Sequence, residues 1–492
     1  MSFRNKILRA FFAPRLRAID RFRLHPAETQ ERMLRGLLKA GAATRFGRRY
    51  ELKQVRSIEQ FQQQVDTFDY DSFKPWIERM KLGERNVAAP GRVKLFARSS
   101  GTTSDRSKYI PVTRTSIFRN HTLGMRDVAT LFAANHPDTQ VFSGKTLTLG
   151  GSCCAEGGYI TGDLSALLIR TMKFWSGWFR APGIETALIP DFAAKADAIC
   201  RECVGEHITS FAGVPSWNLA LMRRVLEYTG KQHLLEVWPD LCLFAHGGVE
   251  FTPYRRSFAE LIPSEQMHYM ETYNASEGFF ALADDPARSD MLLMLDYGTF
   301  YEFRDEAGSV VPLEGVTCGK RYALLITSNN GLWRYAVGDC VEFTSTNPYR
   351  IRFAGRTKQY INVFGEELIV DNADRALDAA CRETGARVSE YSVAPCYMSL
   401  HHRGAHEWFV EFEAEPDDRE HFAEALDRAL RAGNSDYDAK RLTTLERQRL
   451  TVLPAGSFLG WMRTHGKNKV PRLVNDRHVA EQLVADAQGG GQ

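Results

Sequence analysis

Short β-rich runs alternate with helical patterns from residue 92 onwards, and this alternation constrains the fold of the chain most strongly. The candidate strands lie at 93–97, 146–149, 208–212, 241–245 and 267–273, and the helical patterns between them lie at 114–134, 191–204 and 215–228. Such alternation is typical of βαβ units, so it predicts an α/β fold with a mostly parallel sheet covered by helices. Between 291 and 354 short turns join the candidate strands, which predicts an antiparallel sheet or a small barrel.

A smaller unit begins after Gly355, where the pattern of helices and strands restarts. Helical periodicity at 371–384 and 417–432 brackets two strand candidates at 388–396 and 407–414, which predicts a compact α+β unit. A chain of 492 residues is also long for a single hydrophobic core. We therefore predict a large N-terminal domain at 1–356 and a smaller C-terminal domain at 357–492.

The composition is that of an ordinary folded protein, with 44% hydrophobic and 25% charged residues, which excludes a disordered or collagen-like chain. The 63 basic and 60 acidic side chains nearly balance, which argues against a general nucleic-acid-binding protein. Nine irregularly spaced cysteines predict a reduced, intracellular protein. We expect it to be a cytoplasmic monomer. Cys200 and Cys203 fall on an amphipathic pattern, so we interpret them as core thiols rather than as a redox or metal pair.

Seven basic residues and one acidic residue occupy the first 24 positions. We interpret this segment as a basic surface helix that packs on the large domain, with a membrane-surface anchor and an organelle transit peptide as weaker alternatives. An apolar run of about 18 residues occurs nowhere in the chain, so we expect no transmembrane segment.

A cluster of hydroxyl side chains around a glycine follows the first candidate strand. The segment reads Arg98-Ser-Ser-Gly-Thr-Thr-Ser-Asp-Arg-Ser-Lys108. Gly101 allows backbone N–H groups to approach an anion closely, the hydroxyl groups offer further donors, and Lys108 adds a positive charge. The pattern indicates a phosphate-binding loop, with a plain polar surface loop as the alternative.

Three further segments carry residues suited to a nucleotide. Glu271-Thr-Tyr-Asn-Ala-Ser-Glu277 follows a candidate strand, and the carboxyl ends of strands line the ligand crevice of an open sheet. Tyr273 is suited to stacking on a base, and Glu277 to holding Mg²⁺. Leu332-Trp-Arg-Tyr-Ala-Val-Gly-Asp339 ends in an acid suited to ribose hydroxyls, although an isolated Gly-Asp is more often a tight turn. Gly355-Arg-Thr-Lys-Gln-Tyr-Ile-Asn-Val-Phe-Gly365 lies on the predicted domain boundary, where a hinge is expected.

In this order, the four segments resemble the motifs of the adenylate-forming superfamily of acyl-CoA synthetases, luciferases and peptide-synthetase adenylation domains. They are similar to its phosphate loop, its Tyr…Glu motif, its Tyr…Gly-Asp motif and its Gly-Arg…Ile…Gly hinge. Within that superfamily the chain resembles the auxin-responsive Gretchen-Hagen family of acyl-acid amido synthetases. The features that carry this likeness are the Ser-Ser-Gly-Thr start, the Tyr-x-Ala-Ser-Glu form, Asn434-Ser-Asp-Tyr437, Gly456-Ser-Phe458 and Lys469-Val-Pro-Arg472.

The resemblance implies a ligase that uses ATP and Mg²⁺ in two steps. A carboxylic acid attacks the α-phosphate of ATP to give an acyl-adenylate and pyrophosphate. An amine, usually an amino acid in this family, then displaces AMP to form an amide. The small-molecule partners implied are therefore a carboxylic acid and an amine.

The resemblance also assigns roles to residues at the motif positions. Glu277 would hold Mg²⁺, and Lys469 would be the mobile catalytic lysine, with Lys467 as the alternative if the register differs by two. Lys358 would be the hinge residue, about which a mobile C-terminal lid rotates. The implied ATP-binding residues are Ser99, Ser100, Gly101, Thr102, Thr103, Lys108, Tyr273, Ser276, Asp339 and Arg356. Among these, Tyr273 would lie near the adenine and Asp339 at the ribose.

The chain departs from the family pattern at two places. Asp105 stands in the phosphate loop where the family usually has glycine, and Gly365-Glu366-Glu367 lacks the lysine that plant members carry after the hinge. These departures are the only support for one alternative, a nucleotide-binding module that no longer catalyses. A second alternative is a sister chemistry in which the adenylate passes to CoA or another thiol instead of an amine.

The acyl pocket has only a weak signature. Trp175, Trp178, Phe211, Val214 and Trp217 lie between the first two motifs, where pockets of the family are built, and plain core is the alternative for them. His246 is interpreted as a loop histidine with its hydrogen bonds satisfied, and His401, His402 and His406 as an exposed turn between strands.

Overall fold

The computed structural model describes residues 3–100, 107–172, 177–357, 359–400, 402–465 and 470–489, with side chains throughout these ranges except at 3–10, 100 and 489. The helices are α1 (Phe3–Leu24), α2 (Pro26–Gly41), α3 (Arg45–Arg49), α4 (Ile58–Gln64), α5 (Tyr70–Lys81), α6 (Arg114–Ser116), α7 (Thr122–Asn135), α8 (Leu164–Thr171), α9 (Ile184–Ala187), α10 (Phe192–Cys203), α11 (Pro215–Thr229), α12 (Arg255–Leu261), α13 (Val370–Thr384), α14 (Arg419–Gly433), α15 (Ser435–Arg441), α16 (Ser457–Thr464) and α17 (His478–Gly489).

The strands follow the predicted alternation closely. They are β1 (Leu95–Ser100), β2 (Ser107–Val112), β3 (Lys145–Thr148), β4 (Cys153–Glu156), β5 (Tyr159–Gly162), β6 (Arg180–Ala181), β7 (Ile208–Gly213), β8 (Leu243–Gly247), β9 (His268–Ala275), β10 (Gly278–Leu282), β11 (Met291–Leu293), β12 (Thr299–Arg304), β13 (Val310–Pro312), β14 (Arg321–Ser328), β15 (Tyr335–Thr346), β16 (Tyr349–Arg356), β17 (Tyr360–Ile361), β18 (Leu368–Ile369), β19 (Arg387–Cys396), β20 (Ala405–Ala414) and β21 (Arg449–Leu453).

A twelve-stranded sheet forms the centre of the molecule, in the order β13-β12-β14-β15-β16-β11-β10-β9-β8-β7-β3-β6. The strands β9, β8, β7, β3 and β6 are parallel, and α10, α11 and α12 lie in the connections between them. Parallel neighbours need such crossovers, whereas antiparallel neighbours need only a turn. The α/β class is thereby confirmed. The strands from β10 to β16 are antiparallel and extend the same sheet, so of the two predicted forms the structure has the antiparallel sheet.

The basic N-terminal segment forms α1, which packs on the rest of the chain as the sequence predicts. Ile19 and Phe22 are buried in the main hydrophobic core. Arg15 donates from Nε to Asp127 Oδ2 at 2.7 Å and from Nη2 to Asp296 Oδ1 at 2.9 Å. A buried charge requires partners of this kind, so these bonds hold α1 against α7. Within the described part of the chain, no helix is both long and apolar enough to cross a membrane.

The C-terminal residues form a three-stranded sheet in the order β19-β20-β21, with α13 and α14 beside each other. A hydrophobic core shared with the parallel half of the large sheet contains Phe244 on one side and Trp408 on the other. Ser216 Oγ at the start of α11 donates to the Phe364 carbonyl at 2.8 Å. These contacts attach the segment that follows β17 to the large sheet, while the division of the chain into domains at 356 and 357 stays a prediction.

A buried ion pair crosses the antiparallel part of the large sheet. Arg334 Nη2 donates to Glu302 Oε1 at 2.9 Å, and Arg334 Nη1 donates to the carbonyls of Gln62 and Val65 at 2.8 and 2.6 Å. The Glu302 carboxylate is fully buried. The pair therefore joins β12 to the residue before β15 and to the end of α4.

Replacing Arg334 by Met is expected to lower the free energy of unfolding by about 3 kcal/mol or more, because the Glu302 charge would stay buried without its partner. Urea denaturation followed by fluorescence measures this loss. Arg382→Met, which breaks the exposed pair with Asp378, is the control and is expected to cost less than about 0.5 kcal/mol. Equal losses in the two variants would contradict the role given to the buried pair.

Candidate active site

The predicted phosphate loop connects the two strands of a β-hairpin. Strands β1 and β2 pair antiparallel in a four-stranded sheet, with Ser99 opposite Lys108 and Ser100 opposite Ser107. Directly opposed residues of such a pair point to the same face, so Ser99 and Lys108 lie side by side below the tip. Residues 101–106, which join the two strands, lie outside the described residues, as does the Ser100 side chain. The predicted site residues in this segment are Gly101, Thr102 and Thr103.

Three strands of the large sheet bring Tyr273, Asp339 and Arg356 together. Asp339 on β15 lies opposite Arg356 on β16, and Arg356 Nε donates to Asp339 Oδ1 at 2.8 Å. Tyr273 on β9 donates its hydroxyl to Asp339 Oδ2 at 2.6 Å, and its ring meets Phe280 edge-on with the ring centres 5.1 Å apart. Three separate sequence motifs therefore form one hydrogen-bonded cluster, in which the Tyr273 hydroxyl is already used by Asp339.

A buried carboxylate and a lysine complete the cluster. Glu277 lies in the turn between β9 and β10, next to the half-buried Ser276, and Asn330 Nδ2 donates to the Glu277 backbone carbonyl at 2.8 Å. Burial raises the pKa of Glu277 to about 7; the Asp339 carboxylate acts in the same direction and the Lys108 ammonium against it. Burial also lowers the pKa of Lys108, with the Arg356 guanidinium adding to the effect.

The segment after β16 links this cluster to the C-terminal unit. Glu367 Oε2 accepts from Arg356 Nη1 at 3.1 Å. Glu366 is fully buried, and its Oε2 accepts from the Phe364 N–H at 2.7 Å. The two acids that stand in place of the plant lysine are thus partners of other groups within the protein. Lys358, the predicted hinge residue, lies outside the described residues.

The prediction that His406 lies in an exposed turn was wrong. Strand β20 begins at Ala405, earlier than the sequence pattern predicts, so His406 is inside the strand and buried. Its Nε2 lies 2.9 Å from Glu366 Oε1, which gives one of the two ring nitrogens a partner in the core. His402 is exposed as predicted, and His401 lies outside the described residues.

Comparison with known proteins identifies the family of the chain. Residues 15–182 and 155–267 match the GH3 family N-terminal domain, residues 292–356 its central domain, and residues 371–478 its C-terminal domain. The chain belongs to the GH3 family. An indole-3-acetic acid-amido synthetase of Arabidopsis thaliana, GH3.4, is 22% identical to this GH3 chain over 456 residues, which cover 77% of this chain and 75% of the relative.

Two solved structures resemble the GH3 chain in fold. The AtGH3.15 acyl acid amido synthetase in complex with 2,4-DB has a TM-score of 0.57 at 17% identity, over 93% of both chains. A 2-hydroxyisobutyryl-CoA ligase in complex with 2-HIB-AMP and CoA has a TM-score of 0.55 at 16% identity, over 94% of this chain and 93% of the other. At such identities the likeness establishes the fold alone, and the two enzymes differ in the acceptor that their names give.

The predicted acyl pocket of the GH3 chain is only partly described. Phe211 is fully buried and stacks on Phe244 at 4.3 Å between ring centres, which favours the alternative of plain core. Val214 precedes α11, and Trp217 lies half-buried in its first turn. Trp178 is 76% exposed, so it is no part of an enclosed pocket. Trp175 lies outside the described residues, as do Lys467 and Lys469 of the catalytic prediction.

Sequence analysis missed how the C-terminal motif meets the site. The Asn434 side chain caps α15 by accepting from the Tyr437 N–H at 2.8 Å, and its Nδ2 donates to the Glu367 carbonyl at 3.2 Å. Ser435 Oγ lies 2.8 Å from Ser107 Oγ of the hairpin. Asparagine before a short helical pattern is a recognisable N-cap signature. Only the fold shows that the same side chain also bonds to the segment of Glu367.

The cysteines and the acidic residues form no metal cluster in the described ranges. No group of three or more His, Cys, Asp and Glu side chains there is placed to hold an ion. Cys200 and Cys203 are buried in the core, as interpreted from the sequence, and burial raises the pKa of Cys203 to about 12. Both are therefore neutral thiols at physiological pH.

The raised pKa of Glu277 predicts a pH-dependent stability. Its contribution favours the folded state below its unfolded pKa of 4.5 and is lost as the pH rises to about 7. Glu277→Gln, which has no such ionisation, is expected to exceed the native protein in free energy of unfolding by roughly 3 kcal/mol at pH 8 and to match it near pH 4.5.

Urea denaturation at several pH values, in EDTA and without nucleotide, measures this difference. Glu306→Gln, which removes a carboxylate at an exposed position, is the control and is compared with the native protein at the same pH values. A Glu277→Gln difference that is the same at every pH would argue against a buried, protonated carboxyl group at this position.

Proposed function

We propose that this GH3 chain is an AMP-forming ligase that activates a carboxylic acid with ATP and transfers the acyl group to an amine, namely an amino acid. The observation that carries the proposal is the convergence of Glu277, Asp339, Arg356 and Lys108 from four separate motifs. In the sequence, the hydroxyl-rich segment 101–106 joins the strand of Lys108 to the strand paired with it. Membership of the GH3 family supports the same activity, because the relative GH3.4 is named an amido synthetase.

The first step needs fixed donors around the α-phosphate of ATP. One oxygen of the acid attacks the α-phosphorus and pyrophosphate leaves, so negative charge builds on phosphate oxygens while the protein forms no covalent bond. In this proposal the backbone N–H and hydroxyl groups of Ser99, Ser100, Gly101, Thr102 and Thr103 bind the phosphates, and Lys108 and Lys469 supply positive charge. In the second step the amine nitrogen attacks the acyl carbon, loses a proton, and AMP leaves with the bridging oxygen.

The nucleoside would be held by the Asp339 cluster. Among the described residues, each Asp339 oxygen accepts one bond, from Tyr273 or from Arg356, which leaves further lone pairs for ribose hydroxyls. Tyr273 then orients the carboxylate as well as lying near the adenine, and Ser276 in the neighbouring turn completes the proposed nucleotide set. This is a more specific role for Tyr273 than stacking alone.

Glu277 is suited to Mg²⁺. Its carboxylate is buried and accepts no hydrogen bond from another residue in the ranges that the structure describes. Mg²⁺ in phosphoryl-transfer sites keeps several waters and binds through one or two carboxylates together with substrate phosphates, so a single acid meets its need. When bound there, the ion would neutralise phosphate charge.

We also propose a cytoplasmic monomer in which residues 357–492 act as a lid that turns about Lys358 on the large domain at 1–356. All nine cysteines carry free thiols, which fits a reducing compartment. The contact between Ser435 and Ser107 fits a lid that closes over the hairpin.

The function is tested by pyrophosphate release from ATP and Mg²⁺ across a panel of aromatic, indolic and fatty carboxylic acids, with and without a mixture of amino acids. We expect release that depends on one class of acid, and an amide of the expected mass when amino acids are present. A thioester that forms only with CoA would exclude the amine acceptor. If no acid of the panel causes pyrophosphate release while the protein still binds ATP, the result would favour a nucleotide-binding module that does not catalyse.

Lys469→Ala is expected to slow pyrophosphate release by a factor on the order of 10² or more, because one charge contact to the transition state is lost, while ATP binding is retained. Lys467→Ala, two residues earlier, is the matched control and is expected to retain turnover. If Lys467→Ala slows release and Lys469→Ala does not, the catalytic role belongs to Lys467. Unchanged turnover in both variants would exclude this segment from the mechanism. Release is measured at saturating ATP, and binding is measured by calorimetry.

A further inference from the structure

A buried lysine without a counter-ion lies where the C-terminal unit meets α11. Lys440 on α15 is 8% exposed, and its ammonium makes no hydrogen bond or ion pair with any residue in the described ranges. The ammonium lies 4.3 Å from the centre of the Trp217 ring, over its face. A cation on a largely buried side chain is costly unless a partner compensates it.

The carboxylates nearest to Lys440 are engaged elsewhere. Asp163 Oδ2 accepts from the Ser152 N–H at 2.7 Å, Glu366 is bonded to His406 and to backbone N–H groups, and Glu367 is paired with Arg356. Asp436, one turn earlier on α15, also has an interaction of its own. Burial lowers the pKa of Lys440. The negative charges of these four acids act in the opposite direction, but none of the four makes a hydrogen bond or ion pair with the ammonium in the described ranges.

The indole beneath Lys440 offers a second donor without an acceptor. The Trp217 Nε1–H is buried and has no hydrogen-bond partner among the residues that the structure describes. A neighbouring lysine differs in this respect, because Lys195 Nζ donates to the backbone carbonyls of Gly150 and Gly151. An ammonium and an indole N–H are both donors only, and an ionised carboxylate is an acceptor only, so the chemistry of the pair matches a carboxylate.

The Lys440–Trp217 pair adjoins the proposed phosphate site. A Cβ atom built on Gly365 would lie 2.8 Å from Lys440 Cε, so the lysine stem runs directly over the backbone of the hinge segment. The first residue of the same short helix, Ser435, reaches Ser107 of the hairpin. A small molecule bound by Lys440 therefore lies near the place where the adenylate would form.

We propose that Lys440 and Trp217 bind the carboxylate of the amino acid acceptor. This inference rests on the proposed function. The carboxylate of the acyl substrate loses its charge when it is adenylated, whereas the acceptor keeps its carboxylate through the whole reaction. A cation and an N–H donor that are unpaired within the described part of the chain are suited to that persistent charge, and Trp217 then belongs to the acceptor site rather than to the acyl pocket.

The test compares an amino acid that supports amide formation with its own α-amide, which lacks the carboxylate. In Lys440→Met the KM for the amino acid is expected to rise about tenfold or more, as for loss of one charge-assisted hydrogen bond, while the KM for the α-amide stays unchanged. Pyrophosphate release without an acceptor is expected to keep its rate. Lys39→Met, at an exposed position on α2, is the control and is expected to change none of these values.

Several results would overturn the proposal. One is an equal rise in KM for the amino acid and its α-amide; others are slower pyrophosphate release without acceptor, a change confined to the KM of the acyl acid, or no change. Lys440→Met is expected to melt at the same or a higher temperature than the native protein, because it removes an unpaired buried charge. A much lower melting temperature would show that Lys440 serves the fold and would also contradict the proposal.

A binding experiment separates this proposal from the proposed function. If the native protein releases no pyrophosphate with any acid, the ligase assignment fails, and calorimetric titration with the same amino acid and α-amide still tests the subsite. Binding of the amino acid that is lost in Lys440→Met supports it. Equal heats in the two proteins, including no heat in either, contradict it.

Discussion

The Asp339 carboxylate is the acceptor around which the site is arranged. It receives the Tyr273 hydroxyl from the parallel half of the large sheet and the Arg356 guanidinium from the last antiparallel strand. Arg356 in turn reaches Glu367 in the segment that leads to the C-terminal unit. One carboxylate thus connects the two halves of the sheet to the segment on which a closing lid would depend. The charges of Asp339 and Arg356 also act on Glu277 and Lys108 and contribute to the pKa shifts of both groups.

Charged groups in the core fall into two classes. Arg15 and Arg334 are each buried with their carboxylate partners at hydrogen-bond distance, and their role is to attach one element to another. Glu277 and Lys440 are buried to a similar extent, but within the described residues neither has an oppositely charged side chain at hydrogen-bond distance. Burial without a partner costs stability, so proteins retain it mainly where a ligand supplies the partner. This contrast, rather than burial itself, distinguishes the proposed site from the structural core.

The elements and the family were predictable from the sequence, whereas the partners of individual side chains were not. Strands β7, β8 and β9 lie within two residues of their predicted bounds, because apolar runs between turn signals are local features. The strands after β10 extend the same sheet. This arrangement depends on pairing between distant parts of the chain, so no local sequence pattern indicates it. His406 was misplaced because its strand begins earlier than the pattern suggests, and Lys440 was missed because Trp217 lies more than two hundred residues before it. The order of the four motifs was informative because the fold brings three of them to Asp339.

The central claim is that a carboxylate oxygen attacks the α-phosphorus of ATP, and isotope transfer tests it most directly. The acid that supports turnover is labelled with ¹⁸O in its carboxylate and incubated with ATP, Mg²⁺ and an amino acid, and the products are analysed by mass spectrometry. We expect one ¹⁸O atom in AMP and none in pyrophosphate, because the bridging oxygen leaves with AMP when the amine attacks. Unlabelled AMP, or label recovered in inorganic phosphate with ADP as the other product, would contradict the adenylate mechanism.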